Sequence, residues 1–421
     1  MQVYKFGGAS IATPERMQAL LPVVTDATQP LVMVVSALGK TTNALESIVA
    51  AACKGKKEQA HELSHILEHE HLDYAKALLQ DAYYQEAAKA LNVFFTELQW
   101  AIDDASADKY DYSYDQIVCM GELLSTRIFA FYLQEQGLNF EWIDVRDVIR
   151  TDDTYRDARV DWEYSEARAN EVIGSLLNQG KNVVTQGFIG ATADNASVTL
   201  GREGSDYTAA MLAAMLKAEG VTIWKDVEGL QNADPKLFPN TVKVEAITYH
   251  EVIEMAYYGA QVIHPKTIKP LQNNNIPLYV KCFLNKEQKG TVIRNEVNSI
   301  FYPPLIVLKK DQVLFQITTK DFSFISEDNL ANLYSIFHNL KVKVNLIQNA
   351  AISFVACIDN KEEKVKALAE ALSKDYNVFQ NEDVSLLTIR HYTPEILFDL
   401  TKNRYTLLEQ KTRHTVQVVI K

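Results

Sequence analysis

The run PLVMVVSA (30–37) is apolar at nearly every position and ends in the turn Leu38-Gly39-Lys40. Strand side chains alternate between two faces, so an uninterrupted apolar run needs a hydrophobic layer on both sides. That demand suits a central strand of a largely parallel sheet covered by helices. The rest of the first half keeps this rhythm. Strand-like runs VYKF (3–6), NFEWIDV (139–145), NVVTQGFIG (182–190) and VTIWKDV (221–227) alternate with helical stretches. Those helices are expected from Pro14 to about Asp26, from roughly Asn43 to Ala105, and over Gly121–Gln136 and Asp206–Ala218. The expected architecture is a three-layer α/β domain whose active-site loops follow the C-terminal ends of its strands.

The pattern changes at NEVNSIFYPP (295–304), which reads as a linker. Beyond it QVLFQITTK, KVKVNLIQN, AISFVACID and VSLLTIRHY read as strands, with helices over Glu327–Leu340 and Glu362–Tyr376. The order β-α-β-β-α-β is ferredoxin-like. The last stretch, 404–421, reads as a hairpin. It suggests a second, shortened unit that borrows PLIVLKK (304–310) from before the first. The expected boundaries are an α/β domain over 1–297 and a region 298–421 of two α+β units. The first of these covers about 311–383, and the second about 301–309 plus 384–421.

Composition narrows the function. A chain of 421 residues holds two or three domains, and 47% hydrophobic with 23% charged residues is ordinary for a globular protein. A net charge of -12 argues against a general nucleic-acid or anionic-membrane surface. Cys53, Cys119, Cys282 and Cys357 lie far apart with no Cys-x-x-Cys, which suits a reducing cytoplasm rather than a zinc ribbon or a disulfide framework. No signal-peptide pattern opens the chain, and no apolar run approaches the roughly 20 residues of a membrane span. A cytoplasmic protein is expected.

Several stretches carry more than packing. Lys5 is followed at once by Gly7, Gly8 and Ser10. A glycine pair after a strand lets backbone approach an anion, though a tight turn uses the same residues. VSALGKTTN (35–43) sets Ser36 and Thr42 on a glycine-bearing loop, either as anion ligands or as a plain strand-to-helix turn. Glu122 opens an apolar helix, as a dipole partner or as a ligand for an ammonium group. The richest stretch, 185–212, combines Gly187, Gly190, Gly201 and Gly204 with Arg202, Ser205 and Asp206. Its glycines, its cation and its helix start all favour an anion site. IWKDVEGLQNADPKLFP (223–239) suits a nucleotide loop or a surface loop equally well. His61, His65 and His69 share one helical face, but their Glu- and Lys-rich surroundings favour a solvated surface over a metal site.

Taken in order, KFGGAS, VVSALGKTTN, GELLSTRIFA, TQGFIG, TLGREGSDYTAA, WKDVEGLQNADP and YYGAQVIHPKTI resemble the aspartate kinases of the amino-acid kinase superfamily. The resemblance covers roughly Gln2 to Cys282 and implies a carbamate-kinase-like fold. It also implies the reaction: ATP and L-aspartate give 4-phospho-L-aspartate and ADP with Mg2+, towards lysine, threonine and methionine. By resemblance Lys5 and Asp206 are catalytic, and Ser36, Thr42, Glu122, Arg202 and Ser205 bind substrate. Lys5, Gly7, Gly8, Lys225, Asp226, Gln231, Lys236 and Gln261 map to the ATP site, and no protein ligand to a metal is implied. Alternatives are a kinase for another small acid and a non-catalytic regulatory paralogue.

The sequence also departs from the family. Glu203 stands where many members have glycine, Gln231 where bacterial members often have Tyr, Lys236 where Arg is common, and Gln261 where some have Lys. A carboxylate beside two anionic substrates should repel them unless it points away or helps hold magnesium. The tail is similar to paired ACT domains, which implies an amino-acid effector and a homodimer or higher homo-oligomer. At the positions aligned with a lysine site stand Asp328-Asn329-Leu330, Val344-Asn345 and Ala350-Ala351. Amides and methyls there replace carboxylates, which implies weak or absent lysine inhibition.

Overall fold

The structure is a computed structural model that describes residues 1–28, 30–260, 263–297, 302–321 and 323–421. The chain separates into two compact units. One holds residues 1–230, 245–253 and 263–299; the other holds 231–244, 254–262 and 300–421.

The strands of the first unit are β1 (Gln2–Phe6), β2 (Leu31–Val35), β3 (Phe140–Ile143), β4 (Asn182–Gln186), β5 (Ile189–Ala191), β6 (Ser197–Thr199), β7 (Gly220–Lys225), β8 (Ala246–Thr248), β9 (Leu278–Cys282) and β10 (Thr291–Arg294). β5 and β6 pair with each other, while the other eight form one sheet in the order β3-β4-β2-β1-β7-β9-β10-β8. Every neighbouring pair in that sheet is parallel except β9 with β10. β2 is buried at all five positions, as its two-sided apolar run requires. The register sets Phe6 of β1 opposite Val35 of β2 and Trp224 of β7, and Val35 opposite Gln186 of β4. The loops that begin at Gly7, Ser36, Gly187 and Asp226 therefore leave the C-terminal ends of neighbouring strands on one side. A parallel sheet offers its binding crevice there.

Helices cover the sheet. Met120–Glu135 is buried over most of its circumference, and its Phe129 meets Phe6 edge-on at 6.3 Å. With the preceding helix it makes a stretch, Tyr110–Glu135, long and apolar enough to cross a membrane by length and composition. The sequence reading found no such run. In the fold 83% of its apolar window is buried inside the protein, so that hydrophobicity serves the core. The expected helix over Asn43–Ala105 is three helices, Thr41–Cys53, Lys57–Leu78 and Asp81–Asp104. The first break falls at Gly55, with φ of 76°. The Pro14–Asp26 stretch divides into Pro14–Gln18 and Leu21–Thr25, because Pro22 has no N–H to continue the first helix. The expected Asp206–Ala218 helix runs over Gly204–Met215.

The second unit is an antiparallel sheet of β11 (Leu305–Thr319), β12 (Val344–Asn349), β13 (Ser353–Asp359), β14 (Tyr376–Arg390), β15 (Thr406–Lys411) and β16 (Thr415–Ile420). Its order is β12-β13-β11-β14-β16-β15. PLIVLKK and QVLFQITTK, read as separate strands, are one: β11 continues through a register shift between Lys309 and Gln312, with Asp311 left-handed at φ of 55°. β11 and β14 run through both halves of the sheet. One half packs Val313, Phe315 and Ile317 on Leu333, Phe337 and Leu368. The other packs Ile306, Leu387 and Ile389 on Leu397, Val416 and Val418. Leu397 comes from a short helix, Pro394–Thr401, that the sequence reading missed. Thr393 caps it by accepting the Ile396 N–H at 3.4 Å.

Candidate functional site

A cavity of about 560 Å³ opens at the sheet edge where these loops emerge. It is lined by Lys5, Ser36, Thr42, Glu122, Arg202, Ser205, Asp206 and Lys225, so the structure brings together eight residues read from distant stretches of sequence. Lys5 lies on β1 between β2 and β7, and its side chain reaches the cavity. Its Nζ stands 2.6 Å from Asp206 Oδ1, with both side chains largely buried. The contact is an ion pair without hydrogen-bond alignment at that oxygen. Low dielectric strengthens it, and the ammonium remains on the cavity wall.

Glu122 is the anionic counterpart. Gly121 lets its helix start press against the β2 loop, because a Cβ there would lie 3.0 Å from Ala37 Cβ and 3.1 Å from Leu45 Cδ1. Glu122 is 3% exposed, and its Oε1 accepts the Ala37 N–H at 3.3 Å. Its Oε2 is buried with no hydrogen-bond partner. Burial pushes this carboxyl up to about 8, against smaller opposing effects of the Ala37 amide, its own backbone N–H and Lys5. A buried carboxylate oxygen without a donor is costly to keep, and this one is free to accept from a donor that enters the cavity.

Contact requires two of the glycines, and a third lies beside the Lys5 ammonium. A Cβ on Gly8 would lie 2.5 Å from the Ala37 carbonyl, so the β1 and β2 loops meet backbone to backbone. A Cβ on Gly7 would lie 3.4 Å from Lys5 Nζ. A Cβ on Gly187 would lie 2.6 Å from Ser205 Cα, which fixes the start of the Gly204–Met215 helix against the β4 loop. Glu203 precedes that helix in a left-handed conformation, φ 54°, and lines the cavity. Its Oε2 accepts the His264 N–H at 2.8 Å, so much of its charge is directed to the start of the Pro265–Asn273 helix.

Sequence reasoning missed four lining residues, Tyr114, Arg156, Phe188 and Thr199. Arg156 lies 4.4 Å above the Tyr114 ring, and Tyr114 donates to Glu46 Oε1 at 2.7 Å. Fully buried Asp115 ties two of these walls together. Its Oδ2 accepts the Arg156 and Thr199 N–H groups, each at 2.9 Å, and its Oδ1 accepts the Thr199 hydroxyl at 2.7 Å. Burial raises its carboxyl to about 6 despite those donors.

Other expected residues lie elsewhere. Asp226 is exposed, 3.5 Å from Arg16 Nη1, and is not among the cavity-lining residues. Gln231 and Lys236 belong to the second unit. There Gln231 bridges to Lys243, and the Lys236 N–H is held by Asp234 Oδ1 at 2.9 Å. Gln261 lies outside the described residues. His61 pairs with Asp103 at 2.7 Å and His65 with Glu68 at 3.3 Å, so these two histidines face different partners.

Residues 1–282 match the model of the amino acid kinase family. The chain is 30% identical over 363 residues to the lysine-sensitive aspartokinase 3 of Escherichia coli K12, covering 85% of this chain and 78% of that protein. A solved structure of E. coli aspartokinase III in complex with lysine and aspartate (T-state) superposes with a TM-score of 0.82 at 26% identity. It covers 100% of this chain and 95% of that one. The form in complex with aspartate and ADP (R-state) gives 0.79 at 28% identity, covering 100% and 96%. The chain spans about two-fifths (42%) of the length of the bifunctional Arabidopsis thaliana aspartokinase/homoserine dehydrogenases that it also matches, at 29% identity. Its matched motifs, its mostly parallel sheet and its cavity agree: this chain belongs to the amino acid kinase family and, within it, to the aspartokinases.

Proposed function

We propose that the chain is an ATP-dependent aspartate kinase, which phosphorylates the side-chain carboxylate of L-aspartate to give 4-phospho-L-aspartate and ADP. The observation that carries this reading is the unpartnered, buried Oε2 of Glu122 in a cavity that also holds Lys5, Arg202 and Lys225. An amino acid with a second carboxylate supplies both charges: its ammonium meets Glu122, and its α-carboxylate meets Arg202. Ser36, Thr42 and Ser205 add polar donors on the same wall. A relative solved with aspartate and ADP supports the substrate and nucleotide.

The chemistry is nucleophilic attack by one anion on another. A side-chain carboxylate of pKa about 3.9 is ionised near neutrality and needs no general base. Its oxygen forms a bond to the γ-phosphorus as the bond to the β-γ bridging oxygen breaks and ADP departs. Lys5 offsets the charge on the phosphoryl group, and Asp206 holds Lys5 in place through the 2.6 Å pair. Gly7, Gly8 and Lys225 would serve the nucleotide phosphates. Magnesium brought in with the nucleotide would supply further positive charge to offset that of the phosphates. Two of the cavity carboxylates are already engaged, Asp206 with Lys5 and Glu203 with the His264 N–H.

On the same reading residues 1–297 form the catalytic domain and 298–421 a regulatory pair of ACT-like units that pair chains into a homodimer and bind an amino-acid effector. ADP release tests the activity: L-aspartate is expected to support turnover, and L-glutamate and N-acetylglutamate are not. Lys5→Ala should lower turnover by at least about 10²–10³-fold, the scale of losing one preorganised charge stabiliser. Its thermal melt should remain cooperative. Retained turnover in that variant would remove Lys5 from the mechanism.

A further inference from the structure

Glu203 is the one acidic residue in the cavity whose presence the proposed chemistry does not require. It occupies a left-handed backbone conformation, φ 54° and ψ 29°, that glycine adopts more readily. The side chain accounts for the choice. Its Oε2 accepts the His264 N–H at 2.8 Å across 61 residues of sequence. His264 is the N-cap of the nine-residue Pro265–Asn273 helix. An amide at that position has no partner within its helix and sits at the positive end of the dipole.

A second tie runs close by. Lys266 Nζ donates to the Leu200 carbonyl at 2.9 Å and to Asp157 Oδ1 at 2.7 Å, and lies 5.1 Å from the Tyr207 ring centroid. The turn Leu200-Gly201-Arg202-Glu203 is thus fastened at both ends to the start of one helix. Gly201 between them is left-handed at φ 77°, and a Cβ there would lie 2.8 Å from Asp157 Oδ1. Arg202 sits between the two fastenings. It is exposed on the cavity wall, and no ion pair holds its guanidinium among the described residues. Backbone placement therefore decides where that guanidinium can reach.

We propose that Glu203 is a positioning residue for substrate capture: its carboxylate, bonded to the His264 amide, holds the Arg202 turn at the distance a substrate carboxylate requires. This rests on the reading of Arg202 as the clamp on the α-carboxylate. It also answers the electrostatic objection to an acid here, because the helix start takes up charge that would otherwise repel the substrate.

The test uses the full chain with Glu203→Gly, Glu203→Gln and Arg202→Ala. Glycine adopts the left-handed conformation freely, so Glu203→Gly removes the carboxylate without straining the turn. Its aspartate KM should rise about tenfold, the scale of one lost charge-assisted hydrogen bond, with the ATP KM within about twofold of wild type. Hydrogen exchange at the His264 amide should accelerate. Glu203→Gln keeps an acceptor oxygen and should restore most of both. An aspartate KM indifferent to Arg202→Ala would overturn the clamp reading itself. With that reading intact, an unchanged KM in Glu203→Gly would overturn the positioning role, as would unchanged exchange at His264.

Discussion

Glu122 has one carboxylate oxygen bonded to the Ala37 amide and one with no partner, at 3% exposure. Burial holds its carboxyl near 8 rather than the ordinary 4.5. Between those values the folded chain keeps a proton that the unfolded chain has released. Stability therefore falls as pH rises through this window and levels off above about 8. A substrate ammonium reverses the preference, because it binds the ionised form. Below about 8, binding has to expel the proton, so the apparent KM for aspartate should rise by up to about tenfold for each pH unit lowered. Glu122→Gln should flatten that profile at a high KM while raising the melting temperature of the ligand-free protein at pH 8. Initial rates from pH 6.5 to 8.5, with melts of both proteins, check it. A flat wild-type profile would mean that Glu122 does not meet the ammonium. The sequence exposed this residue only as an acid opening an apolar helix. Its burial, which bears on those two readings, is set by Leu45 and the β2 loop, far from it in the chain.

At the level of elements, loop-to-loop packing shapes the site as much as charge does. Gly7 and Gly8 read alike in sequence, yet they answer to different neighbours. A methyl on Gly7 would come to 3.4 Å from Lys5 Nζ, an ordinary contact, whereas one on Gly8 would meet the Ala37 carbonyl at 2.5 Å. Gly8→Ala should therefore separate the β1 and β2 loops, costing about 1–3 kcal/mol of stability and displacing Ser36. Gly7→Ala should keep the wild-type melt and lower turnover by crowding the ammonium. Thermal melts and ADP-release rates on the two variants separate these outcomes, and equal melts would refute the packing account. A strand such as β2 was legible because its burial is written in an uninterrupted apolar run. β11 was read as two strands, since the charged residues Lys309, Lys310 and Asp311 interrupt its apolar run where the strand only bulges. Arg156 and Thr199 escaped notice for a related reason: they reach the cavity from a polar loop and a short hairpin and are joined through buried Asp115, with no local pattern to mark them.

For the molecule as a whole, the second unit bears on how an amino-acid effector could act. Asn345, one of the positions aligned with a lysine site, is already committed. Its amide donates to Gln312 Oε1 at 2.7 Å and to Asp359 Oδ1 at 2.9 Å, and its oxygen accepts from Lys309 Nζ at 2.9 Å. Lys309 Nζ also lies 2.7 Å from Asp359 Oδ1. Burial alone would raise the Asp359 carboxyl, but hydrogen bonds from Lys309, Asn345 and Gln312 outweigh it and hold the group below the usual carboxylate range. An ammonium of the chain itself thus already occupies the Asn345 amide oxygen and the Asp359 carboxylate beside it. Asn329 is likewise engaged, in the capping box with Ser326. Displacing Lys309 would leave it partly buried and unpaired, which cancels much of what an incoming lysine gains. L-lysine at millimolar concentration is therefore expected to leave turnover with aspartate and ATP within about twofold of the uninhibited rate, less than 1 kcal/mol of coupling. Threonine and methionine, which lack a side-chain ammonium, escape this competition, and rates with each of the three alone test whether any of them acts as an effector. Strong inhibition by lysine, lost on Asn345→Ala, would show that the internal ion pair yields to the ligand.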